Sequence, residues 1–143
     1  MYKIEFITSA DSRFDTVRAI RTTVFTNEQG AVANEEFDKY DNDADFALVV
    51  DDSGKIAGTG RVALTDKGYK IGRIAILKEY RGQHLGDMLV KALVQKALTK
   101  GAKTVFVDSQ LHAVAFYEKI GFAICGEQIV DRGLPHIPMM YSE

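Results

Sequence analysis

The 143-residue chain holds a single cysteine, Cys125, so no disulfide can form within it. That cysteine lies in an apolar run with no general base near it in the sequence, and reads as a small core residue rather than a nucleophile. Neither sign of charge is in excess. Against 20 Asp and Glu stand 18 Lys and Arg, a formal net charge of −2, and the basic stripe of a nucleic-acid binder is missing. No run approaches the ~20 apolar residues of a membrane span. The N-terminus lacks the basic-then-apolar pattern of a signal peptide, so a cytoplasmic protein is expected. The histidines, His84, His112 and His136, are not spaced as metal ligands, and no metal is expected. No repeat, low-complexity tract or linker divides the chain. With 46% hydrophobic and 27% charged residues, its composition is that of a folded domain, and its length suits one domain over residues 1–143 rather than two.

What is present centres on Gly72 to Gly101. Gly72-Arg73-Ile74-Ala75-Ile76-Leu77 is a short apolar run with a β-branched bias and predicts a buried strand. Leu85, Met88, Leu89, Ala92, Leu93 and Ala97 share one face of a predicted helix that Gly101 stops. Between strand and helix lies a turn with Arg81, Gly82 and Gly86. A glycine-containing turn at a helix N-terminus gathers free N–H groups, and the dipole adds about half a positive charge, which suits phosphate. The alternative is a purely structural connection. The turn has no terminal Lys-Ser/Thr and no GxGxxG, which disfavours nucleoside triphosphates and dinucleotides.

The remaining elements follow in order. Tyr2 to Ile7 alternates as a strand, and Ser12 with Asp15 has the form of a capping box opening a helix that runs to about Glu28. Ala31 to Asp45 has no clear periodicity and carries Glu35, Glu36, Asp38, Asp41, Asp43 and Asp45 against Lys39. It reads either as an acceptor-side loop or as a solvated one. Strands are predicted over Phe46–Val50, Ile56–Leu64, Tyr69–Leu77 and Thr104–Val107, a helix over Leu111–Ile120, and strands over Phe122–Val130 and Ile137–Tyr141. The pattern describes one α/β domain with a mixed sheet.

Two blocks carry a family resemblance. Arg81-Gly82-Gln83-His84-Leu85-Gly86 resembles the R/Q-x-x-G-x-G/A pyrophosphate loop of the GNAT superfamily of N-acetyltransferases. Gln110 to Phe122, QLHAVAFYEKIGF, is similar to the superfamily's N-x-x-A-x-x-(aromatic/Leu)-Y-E-K-x-G-F segment at the expected distance. Val24–Gly30 and Gly133–Met139 further resemble the ElaA/YjcF-like branch. His84 replaces the usual middle glycine and Gln110 the usual Asn. A histidine there needs either a negative φ or a tolerated left-handed one. Gln110 keeps an amide for the pantetheine arm or for neighbouring backbone.

The resemblance implies a mostly antiparallel twisted sheet, flanked by helices, with a V-shaped splay between two central parallel strands. It implies acetyl-CoA as cosubstrate and direct transfer of the acetyl group to a primary amine of a small molecule or peptide. The pantetheine arm would pair with Ile74, Ala75 and Ile76, and the diphosphate would meet the amides of Arg81, Gly82, Gln83, His84, Leu85 and Gly86. Tyr117 would protonate the leaving thiolate. For the base that deprotonates the amine, Glu28 is the first candidate and His136 the second, against bland readings as a helix-end carboxylate and a packed histidine. His112, placed on the helix of Tyr117 but about 140° around its axis, reads as structural. If the acidic stretch borders the acceptor mouth, a cationic amine is expected over a sugar phosphate. The superfamily includes homodimers, which nothing in the residues demands. Two competing readings are a non-catalytic acyl-CoA-binding regulatory domain and a protein-interaction domain without coenzyme A.

Overall fold

A computed structural model describes residues 1–142. Strands β1 (Tyr2–Ile7), β2 (Asp45–Asp51), β3 (Ile56–Thr65) and β4 (Gly68–Ile76) form an antiparallel meander. The chain then crosses through helix α2 (Leu85–Thr99) to β5 (Thr104–Gln110), which lies parallel to β4. Strand β8 (Leu134–Ser142) pairs antiparallel with β5 and also carries the short strands β6 (Ala123–Ile124) and β7 (Ile129–Asp131). The sheet order is β1-β2-β3-β4-β5-β8-β6, with β7 on β8. This is the mixed, mostly antiparallel sheet that the resemblance implied.

The residues of β2 explain the layering. Phe46 through Val50 are all buried, as a strand covered on both faces should be. Phe46, Leu48 and Val50 pack with Val17 of helix α1 (Phe14–Arg21), whereas Ala47 and Val49 pack with Leu85, Leu89 and Leu93 of α2. Helix α3 (Val114–Ile120) adds Tyr117 to the α2 side. The buried stripe of α2 also takes in Val90 and Val94, leaving Met88 and Ala92 at its margin.

Several boundaries differ from expectation. No capping box forms at Ser12: α1 starts one residue later, with Arg13 at its N-cap and the Arg13 amide bonded to Asp11 Oδ1 at 2.8 Å. The helix does reach Glu28, but from Thr22 onward it is a π-helix, and Gly30 ends it at φ +76°. The predicted strand over Phe122–Val130 is broken into β6 and β7. Cys125 lies between them and is exposed, not in the core, because the sheet edge there has no covering layer. The Leu111–Ile120 helix begins as a 3₁₀ turn over Leu111–Ala113, which places His112 outside α3.

The central irregularity lies in β4. Between Thr59↔Ala75 and Arg61↔Gly72, β3 advances two residues and β4 three, so β4 carries a bulge. Arg73 sits in it at φ +53°, a left-handed conformation that L-residues avoid. The parallel β4–β5 pairing stops just before it, at Ile71↔Val107. Beyond that point the two strands part. The bulge and the splay are adjacent events in one strand.

Candidate functional site

On the α2 side of the splay, the turn after β4 opens a cavity of about 350 Å³. It is lined by Ile76, Tyr80, Arg81, Gly82, His84, Leu85, Gly86, Asp87, Phe116 and Lys119. The first amides of a helix have no intrahelical acceptor, and no side chain caps α2. Gly82 (φ +86°) and His84 (φ +61°) are both left-handed, which curls the backbone around the cavity. His84 thus copies the glycine conformation instead of avoiding it. Gln83 is turned away: its amide donates to Tyr80 O at 3.2 Å and its carbonyl accepts from Tyr2 Oη at 3.1 Å. Lys119, from α3, adds a cation that the sequence pattern did not single out. Asp87, the acid on the rim, is paired with Lys91 at 3.0 Å. The mouth is open, and of its charged lining residues Arg81 and Asp87 are ion-paired to Glu28 and Lys91.

Arg81 does not face only the cavity. Its Nε donates to Ile76 O at 2.9 Å, so the protein itself satisfies one acceptor of the Ile74–Ile76 segment. Its Nη2 pairs with Glu28 Oε1 at 2.9 Å. Glu28 is therefore held beside the turn before α2 and does not line the cavity that contains Tyr117.

That second cavity, about 110 Å³, brings together Ile74 of β4, Val107, Asp108 and Gln110 of β5, Tyr117 of α3, and His136 of β8. Arg73, Arg132, Gln29 and His112 also border it. Tyr117 is 7% exposed, and its ring meets Phe116 and Phe122 edge-on at 5.1 and 5.5 Å. Burial pushes its phenol well above the usual tyrosine range, so it stays protonated. His136 is 1% exposed, with Nδ1 2.9 Å from Leu134 O. A carbonyl oxygen can only accept, so in the neutral ring Nδ1 carries the hydrogen and Nε2 keeps its lone pair. Gln110 donates Nε2 to Gln29 Oε1 at 2.6 Å, tying the end of β5 to the end of the π-helix. No cluster of His, Cys, Asp and Glu among the described residues could hold a metal ion.

The acidic stretch is not a solvated negative mouth. Glu36 is fully buried and Asp41 7% exposed, and with Asp38 they are neutralised by arginines from four elements. Arg21 meets Asp41 at 2.8 Å and Glu36 at 3.4 Å. Arg61 bridges Asp38 and Asp41 at 2.7 and 2.8 Å. Arg73 reaches Glu36 at 2.7 Å and Arg132 reaches it at 2.8 Å. The stretch therefore acts as a buried clamp on the bulge at Arg73. Burial raises the carboxyl pKa values of Asp38 and Asp41, but the guanidiniums of Arg61 and Arg21 outweigh it and leave both lowered. Arg73 is lowered to about 10 by burial and by the neighbouring arginines.

Sequence reasoning missed Arg73 and Arg132. A signal existed for each: an arginine inside an apolar strand, and one in a two-residue hairpin turn where both central residues need positive φ. Arg132 and Gly133 adopt +53° and +79° between the paired Asp131 and Leu134.

Comparison with known proteins places this geometry. The profile of the acetyltransferase (GNAT) domain matches residues 15–143. The chain is 37% identical over 122 residues to the uncharacterized N-acetyltransferase YjcF of Bacillus subtilis, covering 85% of this chain and 86% of that one. It superposes on an acyl-CoA N-acyltransferase from Pseudomonas aeruginosa with a TM-score of 0.87 at 26% identity, over 99% and 100% of the two chains. Escherichia coli ElaA, at 22% identity, shares the fold with a TM-score of 0.86 over 99% and 100% of the chains. With an open helix mouth, a splayed parallel pair and a profile match over nearly its whole length, this chain belongs to the GNAT family of acetyltransferases.

Proposed function

We propose that this protein transfers an acetyl group from acetyl-CoA directly to a primary amine of a small molecule or peptide, with Tyr117 as general acid and His136 as general base. The observation that carries this reading is the 110 Å³ cavity at the splay, where a buried phenol and a histidine with an available Nε2 face the same space. Acetyl-CoA supplies an activated thioester. Its diphosphate suits the backbone amides of Gly82 to Gly86 with Lys119 nearby, and its amide-bearing arm suits main chain left unpaired in β4 beyond Ile71.

The residues divide the proton traffic. An ammonium group is not a nucleophile, so His136 Nε2 takes a proton from the incoming amine. Tyr117 Oη donates to the departing sulfur, whose thiol pKa is about 8.5 against about 10 for an unperturbed phenol. The raised phenol pKa keeps that proton in place until the C–S bond breaks. Glu28, ion-paired with Arg81 away from this cavity, is less suited than His136 to serve as the base. A non-catalytic acyl-CoA-binding role would need only the open helix mouth and leaves the Tyr117–His136 cavity without a purpose.

Tyr117→Phe removes the proton and little volume. Turnover followed by thiol release should fall more than tenfold, with coenzyme A affinity nearly unchanged. Unaltered turnover would remove Tyr117 from the mechanism.

A further inference from the structure

The clamp that holds the β4 bulge leaves two guanidinium nitrogens without partners. Arg73 uses Nε on Glu36 and Nη2 on Asp38, while its Nη1 has only Asp131, at 3.9 Å, beyond hydrogen-bonding distance. Arg132 uses Nε on Asp131 and Nη1 on Glu36, and its Nη2 has no partner among the described residues. The Arg73 side chain is 9% exposed and that of Arg132 5%. Neither nitrogen is sealed in protein: the fully enclosed side-chain nitrogen without a hydrogen-bond partner among the described residues is Arg21 Nε. Arg73 and Arg132 both line the cavity of Tyr117 and His136, and both also line a neighbouring cavity of about 240 Å³ that includes Asp131. The one carboxylate lining the cavity of Tyr117 and His136, Asp108, is already paired with Lys70.

We infer that Arg73 and Arg132 bind a carboxylate of the acceptor, so that the acceptor is a small amino acid whose amine is presented to His136 and Tyr117. This inference rests on the acetyltransferase reading and narrows it. It also reverses the cationic acceptor expected from the acidic stretch, because those acids are consumed inside the clamp. Each guanidinium still has one N–H-bearing nitrogen to offer, and a planar monoanion can accept from two such donors at once. A dianionic phosphate fits less well, since Asp131 stands beside Arg73 and would repel the second charge. A cavity of about 110 Å³ also favours a compact ligand.

The test uses thiol release from acetyl-CoA by the intact protein with matched acceptors: amino acids, their carboxamides, the corresponding decarboxylated amines, and aminophosphonates. Amidation should lower kcat/KM by about ten- to a hundredfold, mostly through KM, the loss expected for charge-assisted hydrogen bonds. Arg132→Gln should shrink the acid-to-amide ratio toward one, and Arg132→Lys should restore part of it. The comparison among acceptors needs no variant, so a poorly folding Arg132→Gln does not remove the test. Equal turnover of acids and amides would overturn the inference, as would preference for phosphonates or failure of every carboxylate-bearing amine while acetyl-CoA still raises the melting temperature. If acetyl-CoA gives no stabilisation, the acetyltransferase reading itself falls, and this inference with it.

Discussion

At the scale of single residues, three non-glycine positions with positive φ mark the working parts: Arg73, His84 and Arg132. Each sits where the local chain would accept glycine more easily, and strain of this kind persists only where surrounding structure holds it. For His84 the demand is conformational. A β-branched residue has no comfortable left-handed state, so His84→Val should destabilise the fold by about 1–2 kcal/mol, whereas His84→Gly should not destabilise it. Chemical denaturation of the two variants checks this, and equal stabilities would mean that the turn relaxes. For Arg73 and Arg132 the demand is electrostatic, and glycine would lose the clamp. Tyr117 was legible because its motif spacing is local. Which of Glu28 and His136 lines the cavity of Tyr117 was not, because Arg81 holds Glu28 from across the fold.

At the scale of elements, the strand–turn–helix from β4 to α2 was legible because its cues are short-range: an apolar run, two glycines and a helical stripe. The stretch between the π-helix and β2 was not. Its carboxylates look solvated in one dimension, yet Glu36 and Asp41 are sunk among arginines contributed by α1, β3, β4 and the β7–β8 turn. This has a consequence for pH. Asp38 and Asp41 have folded-state pKa values below their ordinary 3.8, so the stability they contribute is present above that value and is lost as pH falls through the lowered ones. Melting temperatures should therefore fall steeply below about pH 4, while the contribution of these two carboxylates stays constant above about pH 5. Asp41→Asn should flatten the acid limb while lowering stability at neutral pH, because Arg21 and Arg61 each lose an anionic partner. An unchanged acid limb would mean that the clamp is not what acid dissolves.

At the scale of the molecule, α1 and α2 cover opposite faces of the sheet, and the parallel pairing of β4 and β5 ends at Ile71↔Val107. A ligand that binds only the folded chain stabilises it by mass action. Coenzyme A at a hundredfold excess over its dissociation constant should add about 2.7 kcal/mol to the unfolding free energy. Calorimetry or a melting series checks this, and no shift at any concentration would deny the donor site.

The sequence by itself determined the elements and the family. Hydrophobic periodicity, turn glycines and two spaced motifs are properties of neighbouring residues, and they survive being read in a line. Only the tertiary structure decided which charges are spent and which are free. Glu36 finds Arg21 15 residues away and Arg132 96 residues away, and no local pattern encodes such pairings. They are set by which side chains the packed sheet buries together, since a charge removed from water must find its counter-charge wherever the fold has placed it.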